Sequence, residues 1–141
     1  MRLFLSVILS ALLLSAAATA SDKEPAKLKV QPLISSQITG VAGHKALVEH
    51  VTIPPKSEIA AHYHLNEEFL AIIKGSAIMR IEGEEDKILS AGMVIVIPAG
   101  AVHLAVNLTT EPAEAMVFRV HPDGQPVRFA PETKNKAATP K

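Results

Sequence analysis

Residues 62–75 read HYHLNEEFLAIIKG. Two histidines and two glutamates precede a short apolar run, and the run ends at a lysine and a glycine. Residues 92–107 read GMVIVIPAGAVHLAVN, where two apolar runs flank a Pro-Ala-Gly turn and a further histidine. Short runs rich in Val and Ile between Gly and Pro are typical of buried β-strands. Both stretches therefore predict β-structure with histidines at the strand ends.

Comparable apolar runs occur along most of the chain. No window beyond the first twenty residues shows a helical period. The Lys74-Gly75 pair and the Glu82-Gly83-Glu84 stretch predict hairpin turns. Regularly spaced short strands without crossover helices indicate an antiparallel sandwich or closed barrel, so the predicted fold class is all-β. The predicted strands are Lys45–Ile53, Phe69–Ile73, Ala77–Glu82, Lys87–Leu89, Met93–Ile97, Val102–Leu108 and Ala115–Val120.

Four side chains of these stretches form a candidate metal site. His62 and His64 are two positions apart, so in an extended chain both imidazoles leave the same face. Glu68 precedes the next strand, and His103 lies at the start of a strand far along the chain. Three imidazoles and one carboxylate suit a borderline divalent ion such as Mn, Fe, Co, Ni, Cu or Zn. By spacing alone, ordinary surface roles for these residues stay open.

The spacing of these residues resembles a known pair of motifs. His62-x-His64-x3-Glu68-x6-Gly75 resembles the first motif of the cupin family. Gly92-x5-Pro98-x-Gly100-x2-His103-x3-Asn107 resembles the second motif without a departure. The intermotif stretch, 76–91, has 16 residues, as in compact cupins. Lys56 stands where the first motif has its leading glycine, a departure that affects a turn and not a ligand.

The resemblance implies a single cupin barrel of two packed antiparallel sheets over residues 45–121, open at one end. It also implies that His62, His64, Glu68 and His103 point inward and bind one divalent transition-metal ion. Asn107 shares the face of His103, and we expect its side chain to tie down a loop by hydrogen bonds.

The expected activity is metal-dependent chemistry on a small molecule. Four protein ligands on an ion that accepts six leave two adjacent positions. Three neutral imidazoles, one carboxylate and a divalent ion sum to a charge of +1, which favours an anionic ligand. A dioxygenase-type enzyme is the first hypothesis. A non-redox isomerase, lyase or decarboxylase, and a non-catalytic metal or small-ligand binding protein, stay open.

Composition excludes some classes of function. The 14 basic and 14 acidic residues balance, so nucleic acid is not an expected partner. The chain has no Cys, which excludes thiolate ligands and thiol catalysis. Arg80, Arg119 and Arg128 are isolated in sequence and are interpreted as surface residues. His50 and His121 are weaker candidates for the pocket. Metal affinity is expected to fall as the pH drops through about 6.5.

The two ends of the chain are expected to lie outside the barrel. Residues 1–20 have a positive start, an apolar run and Ala18-Thr19-Ala20, which predict a signal peptide cleaved after Ala20. The mature protein would be periplasmic or secreted, without a stable membrane span. Residues 21–44 are predicted as a lead-in containing an edge strand, Val30–Ile38, which could support a homodimer. Residues 122–141 are predicted as a disordered tail.

Overall fold

Two antiparallel β-sheets pack face to face in the computed structural model, which describes residues 27–132. The predicted signal peptide and residues 133–141 of the predicted tail lie outside the described residues. Within residues 27–132, no helix is long and apolar enough to cross a membrane. The strands there are β1 Lys29–Gln37, β2 His44–Ile53, β3 Ser57–His62, β4 Glu68–Lys74, β5 Ser76–Ile81, β6 Lys87–Ser90, β7 Val94–Ile97, β8 His103–Asn107 and β9 Ala113–Pro122.

The chain alternates between the two sheets as it proceeds. The five-stranded sheet has the order β1-β2-β9-β4-β7, and the four-stranded sheet has the order β3-β8-β5-β6. Neighbours far apart in sequence, such as β2 and β9, pair along their whole length. This topology confirms the predicted all-β, antiparallel barrel.

The core lies between the sheets because apolar and polar residues alternate along the strands. In β9, alternate residues from Ala113 to His121 are buried, and their neighbours are more exposed. Successive side chains of a strand leave opposite faces, so one face of each sheet turns inward. The apolar core consists of Val51, Ile53, Leu70, Ile72, Ala77, Met79, Ile81, Leu89, Ile97, Ala105, Ala113, Ala115 and Val117.

Two features of the fold differ from the sequence prediction. The strand β3 was not predicted, because Ser57–His62 reads SEIAAH and has only one residue of high β-propensity. Lys74-Gly75 was predicted as a hairpin, but it joins β4 of one sheet to β5 of the other. The prediction of a hairpin at Glu82-Gly83-Glu84 is confirmed, since β5 and β6 pair. The segment predicted as an edge strand forms β1, which pairs with β2 at the edge of the larger sheet.

The start of the predicted disordered tail is also different in the structure. Residues 125–129, which we call the C-terminal crossing, fold back onto the first motif. Tyr63 and Phe129 exchange two backbone hydrogen bonds of 3.0 Å, and their rings stack with centroids 5.3 Å apart. The prediction of disorder is therefore wrong for this segment, because partners distant in sequence supply the contacts that local composition does not indicate.

Candidate metal centre

Three buried histidines meet at one end of the barrel. His62 ends β3 and His103 begins β8, and these two residues are direct partners in the four-stranded sheet. His64 lies two residues beyond His62, on the connection to β4. One ring nitrogen from each histidine lies within 4.8 Å of the other two. The structure thus brings together all three predicted imidazoles.

The remaining ring nitrogen of each histidine is held by a backbone carbonyl. Nδ1 of His62 lies 2.8 Å from the Ala60 oxygen, and Nδ1 of His103 lies 2.9 Å from the Ala101 oxygen. Nδ1 of His64 contacts the carbonyl oxygen of Val127. A carbonyl can only accept, so Nδ1 carries the proton in each neutral ring. Each Nε2 is then left with a free lone pair, the form that binds a metal.

Glu68 faces the histidines from the opposite sheet. Its Oε2 lies 2.9 Å from His64 Nε2, and its Oε1 lies 3.9 Å from His103 Nε2. Neither Nε2 has a hydrogen-bond partner, although both are buried. Two lone pairs this close repel each other unless a proton or a cation lies between them. Ligand atoms about 2.1 Å from one ion and at right angles are roughly 3 Å apart. The separation of His64 and Glu68 therefore fits two ligands of a single ion.

Arg119 is buried beside Glu68, contrary to its interpretation as a surface residue. It is the direct partner of Glu68 across the β4–β9 pair, and its side chain is only 4% exposed. Its Nε donates to Glu68 Oε2 at 2.8 Å, and its Nη1 donates to Glu49 on β2. One guanidinium thus bridges two buried carboxylates. Sequence reasoning missed this residue because only strand pairing places Arg119 opposite Glu68.

Burial and neighbouring charges set the protonation of these groups. Burial is the main cause that lowers the pKa of His62 to about 4, and the charge of Arg128 contributes to this lowering. Burial also lowers the pKa of His103. In the metal-free protein burial alone would raise the pKa of Glu68, but a proton held between Oε2 and His64 Nε2, together with the Arg119 guanidinium, outweighs burial and lowers the pKa to about 2. At neutral pH, His62 and His103 are therefore neutral and Glu68 is ionised, as metal ligands must be.

A narrow cavity of about 40 Å³ extends from the histidines into the barrel. Its polar end includes His62, Glu68 and His103, and its walls are apolar, with Leu70 and Ile72 on the face of Glu68. Strand alternation places both side chains on this face, because residues two apart in a strand point the same way. A cavity of this size holds only a few water molecules or a comparably small group.

Asn107 fixes the loop between β8 and β9, as predicted. Its side chain has no exposed surface, and its Nδ2 donates to the carbonyls of Ile53 and Glu111 at 3.1 and 2.8 Å. Its Oδ1 accepts hydrogen bonds from the backbone nitrogen and the hydroxyl of Thr109. All the hydrogen-bonding groups of this amide are satisfied within the protein. Asn107 is thus structural and does not face the metal cluster.

The weaker histidine candidates lie outside the cavity. His50 is on the outer face of the larger sheet, where its Nε2 lies 3.0 Å from Glu114 Oε2. His121 is buried, but its Nε2 lies 2.9 Å from the carbonyl oxygen of Gln125 and holds the start of the C-terminal crossing. Neither residue lines the cavity.

A two-sheet antiparallel barrel with three converging histidines at one end defines a small β-barrel protein with a candidate metal centre. The family model of the cupin domain matches residues 49–119, about half of the chain. The chain therefore belongs to the cupin family.

Three proteins illustrate the range of those to which this chain is similar. The tetracenomycin polyketide synthase protein TcmJ of Streptomyces glaucescens is 27% identical over 85 residues, which are 60% of this chain and 56% of that protein. The chain thus spans just over half the length of this curated relative. A cupin family protein of double-stranded β-helix fold from Methanocaldococcus jannaschii superposes with a TM-score of 0.58 at 22% identity, over 70% of this chain and 85% of that chain. The DMSP lyase DddQ from Ruegeria pomeroyi has a TM-score of 0.59 and 23% identity, over 72% of this chain and 50% of that chain. These two structures share the fold with this protein.

Proposed function

We propose that the protein binds one divalent transition-metal ion through His62, His64, His103 and Glu68, and that it acts on a small anionic molecule as a dioxygenase-type enzyme. The observation that carries the metal site is the arrangement of the three imidazoles. Each Nδ1 is held by a backbone carbonyl, and one nitrogen of each ring lies within 4.8 Å of the others.

The protein's own residues have separable roles in this proposal. The three carbonyl contacts fix the tautomer and orientation of the rings, and Arg119 fixes the Glu68 carboxylate. The apolar walls of the cavity keep bulk water away from the ligands and strengthen electrostatic interactions there. When bound, the ion supplies redox or Lewis-acid chemistry at the positions that the protein ligands leave open.

A non-redox reaction is the second candidate function. Among the structurally similar proteins is a DMSP lyase, so the same fold is found in a lyase. The described residues supply no proton-transfer group in the cavity beyond the proposed ligands and two arginines. Oxygen consumption with substrate supports the dioxygenase reaction, and turnover without oxygen supports the lyase, isomerase or decarboxylase. Metal binding without turnover supports a binding protein.

The metal content of the untagged protein tests the proposed site. Inductively coupled plasma mass spectrometry should find about one equivalent of Fe, Mn, Co, Ni, Cu or Zn in the purified wild type. His62→Ala and His103→Ala should lose it, because each removes one imidazole of the cluster. His50→Ala is the matched control and should retain the metal, since His50 lies on the outer face. Wild-type protein that stays metal-free after reconstitution would contradict the proposal.

We also propose that the protein is exported from the cytoplasm. The apolar run of residues 3–14 and Ala18-Thr19-Ala20 support cleavage after Ala20. Expressed in a Gram-negative host, the protein should be recovered from the periplasm with Ser21 as its first residue by N-terminal sequencing. Recovery of cytoplasmic protein that retains the first twenty residues would contradict export.

We also propose that the protein forms a homodimer. The outer face of the larger sheet exposes Phe69 and Phe118, whose rings lie 5.8 Å apart, beside the exposed Val94 and Val96. Contiguous exposed apolar surface favours association. Light scattering should give twice the mass of the mature chain, and Phe69→Glu should shift the mass toward that of one chain. A monomeric wild type at working concentration would contradict the dimer.

A further inference from the structure

Arg128 differs from every other residue that lines the cavity. The lining residues within the described chain are buried or half-buried, except Arg128, which is exposed. An exposed residue that lines an otherwise enclosed cavity lies at its opening. Arg128 therefore marks the mouth through which a ligand would reach His62 and His103.

The position of Arg128 is fixed by contacts on both sides. The preceding residue, Val127, accepts from the ring of His64, and the following residue, Phe129, exchanges two backbone hydrogen bonds with Tyr63. His121 holds the start of the same C-terminal crossing through the Gln125 carbonyl. The backbone that carries Arg128 is thus attached to the first motif itself.

The charge of Arg128 has no protein partner among the described residues. Arg119, the other arginine of the cavity, is neutralised by Glu49 and Glu68, and Arg80 pairs with Asp86 on the outer surface. A divalent ion with neutral imidazoles, Glu68, Arg119 and Glu49 sums to +1, and Arg128 raises the sum to +2. An uncompensated guanidinium next to such a centre favours a carboxylate or another planar anion.

We propose that Arg128 is the residue that recognises the anionic group of the ligand, which we infer to be the carboxylate of a small organic acid. The interior of about 40 Å³ accepts only a few atoms, so the carboxylate binds at the mouth while the rest of the acid points toward the histidines. This inference deepens the proposed function by naming the ligand class. The contact with Arg128 itself does not depend on which metal is bound.

The test is a titration with propionate that is monitored by two-dimensional NMR. It is done once on zinc-loaded protein and once on metal-free protein. Propionate should shift the Arg128 side-chain resonance and the amides of residues 127–129. In Arg128→Gln the dissociation constant should rise about tenfold, the loss expected for one charge-assisted contact at an exposed position. Arg128→Lys should be intermediate, because a lysine keeps the charge but not the planar fork.

Two controls give each outcome a single meaning. Arg80→Gln removes the same charge from the outer surface and should leave the propionate affinity unchanged. Propionamide has the shape of propionate without its charge and should not bind. The inference is overturned when propionate fails to bind the wild type, or binds Arg128→Gln as tightly as the wild type. Failure of the wild type to take up zinc contradicts the proposed metal site instead, and the metal-free titration still decides the role of Arg128.

Discussion

At the residue scale, Lys56 shows what the single departure from the cupin motifs does. It stands where the first motif has glycine, and it is the one non-glycine residue with positive φ, 54°, in the described chain. An L-residue in this left-handed region is destabilised by about 1 kcal/mol relative to glycine. The Lys56 Nζ donates to the carbonyl of Leu108, a contact that glycine cannot make. The turn is therefore retained despite the replacement.

The backbone strain at Lys56 can be separated from its side-chain contact. Lys56→Ala loses the contact and keeps the strain, whereas Lys56→Gly loses both. We expect the glycine variant to be more stable than the alanine variant by about 1 kcal/mol in urea unfolding. At Lys45, within strand β2, the order should be reversed, because glycine weakens a strand. Equal stabilities of the two Lys56 variants would show that the turn is not strained.

In our proposal Arg119 is a positioning residue for Glu68. A substitution that keeps the positive charge tests this role. Arg119→Lys keeps the cation but cannot bridge Glu68 and Glu49 as the guanidinium does. Metal affinity, measured by competition with a chelator, should fall roughly tenfold, as is typical when the partner of a ligand is altered. Arg80→Lys at the surface should leave the affinity unchanged. An unchanged affinity in Arg119→Lys would mean that Glu68 needs no such partner.

At the scale of elements, local sequence indicates the strands but not every connection between them. The seven predicted strands are all present, because each has a local run of β-branched and apolar residues. By contrast, β3 has too little of this signal, and the position of Arg119 beside Glu68 arises only when distant strands pair. The wrong prediction of a hairpin at Lys74-Gly75 has the same cause. A glycine turn has the same local sequence whether it joins two strands of one sheet or strands of different sheets.

Gly75 can be compared directly with Gly92, because both have positive φ, 70° and 91°. A Cβ at Gly75 would lie 2.5 Å from the backbone oxygen of Pro112, whereas a Cβ at Gly92 would meet nothing within 4 Å. We expect Gly92→Ala to destabilise the protein by about 1 kcal/mol. Gly75→Ala should cost roughly 1–3 kcal/mol more, because the backbones must separate. Equal losses in thermal or urea unfolding would show that the close approach is relieved without cost.

At the scale of the whole molecule, the buried titratable groups predict acid sensitivity of the metal-free protein. His62 binds a proton below pH 6.5 in the unfolded chain but only below about 4 in the folded protein. The unfolded chain therefore binds more protons in this window, and stability falls as the pH drops through it. Glu68, with its pKa lowered to about 2, contributes stability that is lost as the pH falls from 4.5 to 2.

The expected loss from His62 is about 3 kcal/mol between pH 6.5 and 4. Chemical denaturation across this range, with a chelator present, measures it. His62→Gln should make the free energy of unfolding less dependent on pH in this range. His50→Gln is the control and should keep the part of the pH dependence that comes from His62. A flat wild-type profile above pH 4 would show that the rings are not held neutral by burial. Because burial keeps His62 neutral below pH 6.5, proton competition for the metal should also begin at a lower pH than the sequence alone indicates.

The contact between His64 and the Val127 carbonyl has a consequence for the timing of assembly. The two residues are 63 positions apart, so the ribosome produces His64 long before it produces Val127, whose carbonyl orients the His64 ring. Until β9 has paired and the crossing has closed, the ring of His64 is free to rotate and to exchange its protonated nitrogen. The centre can therefore acquire its final geometry only after the last strand is in place, and metal captured earlier would be held by an incompletely ordered set of ligands.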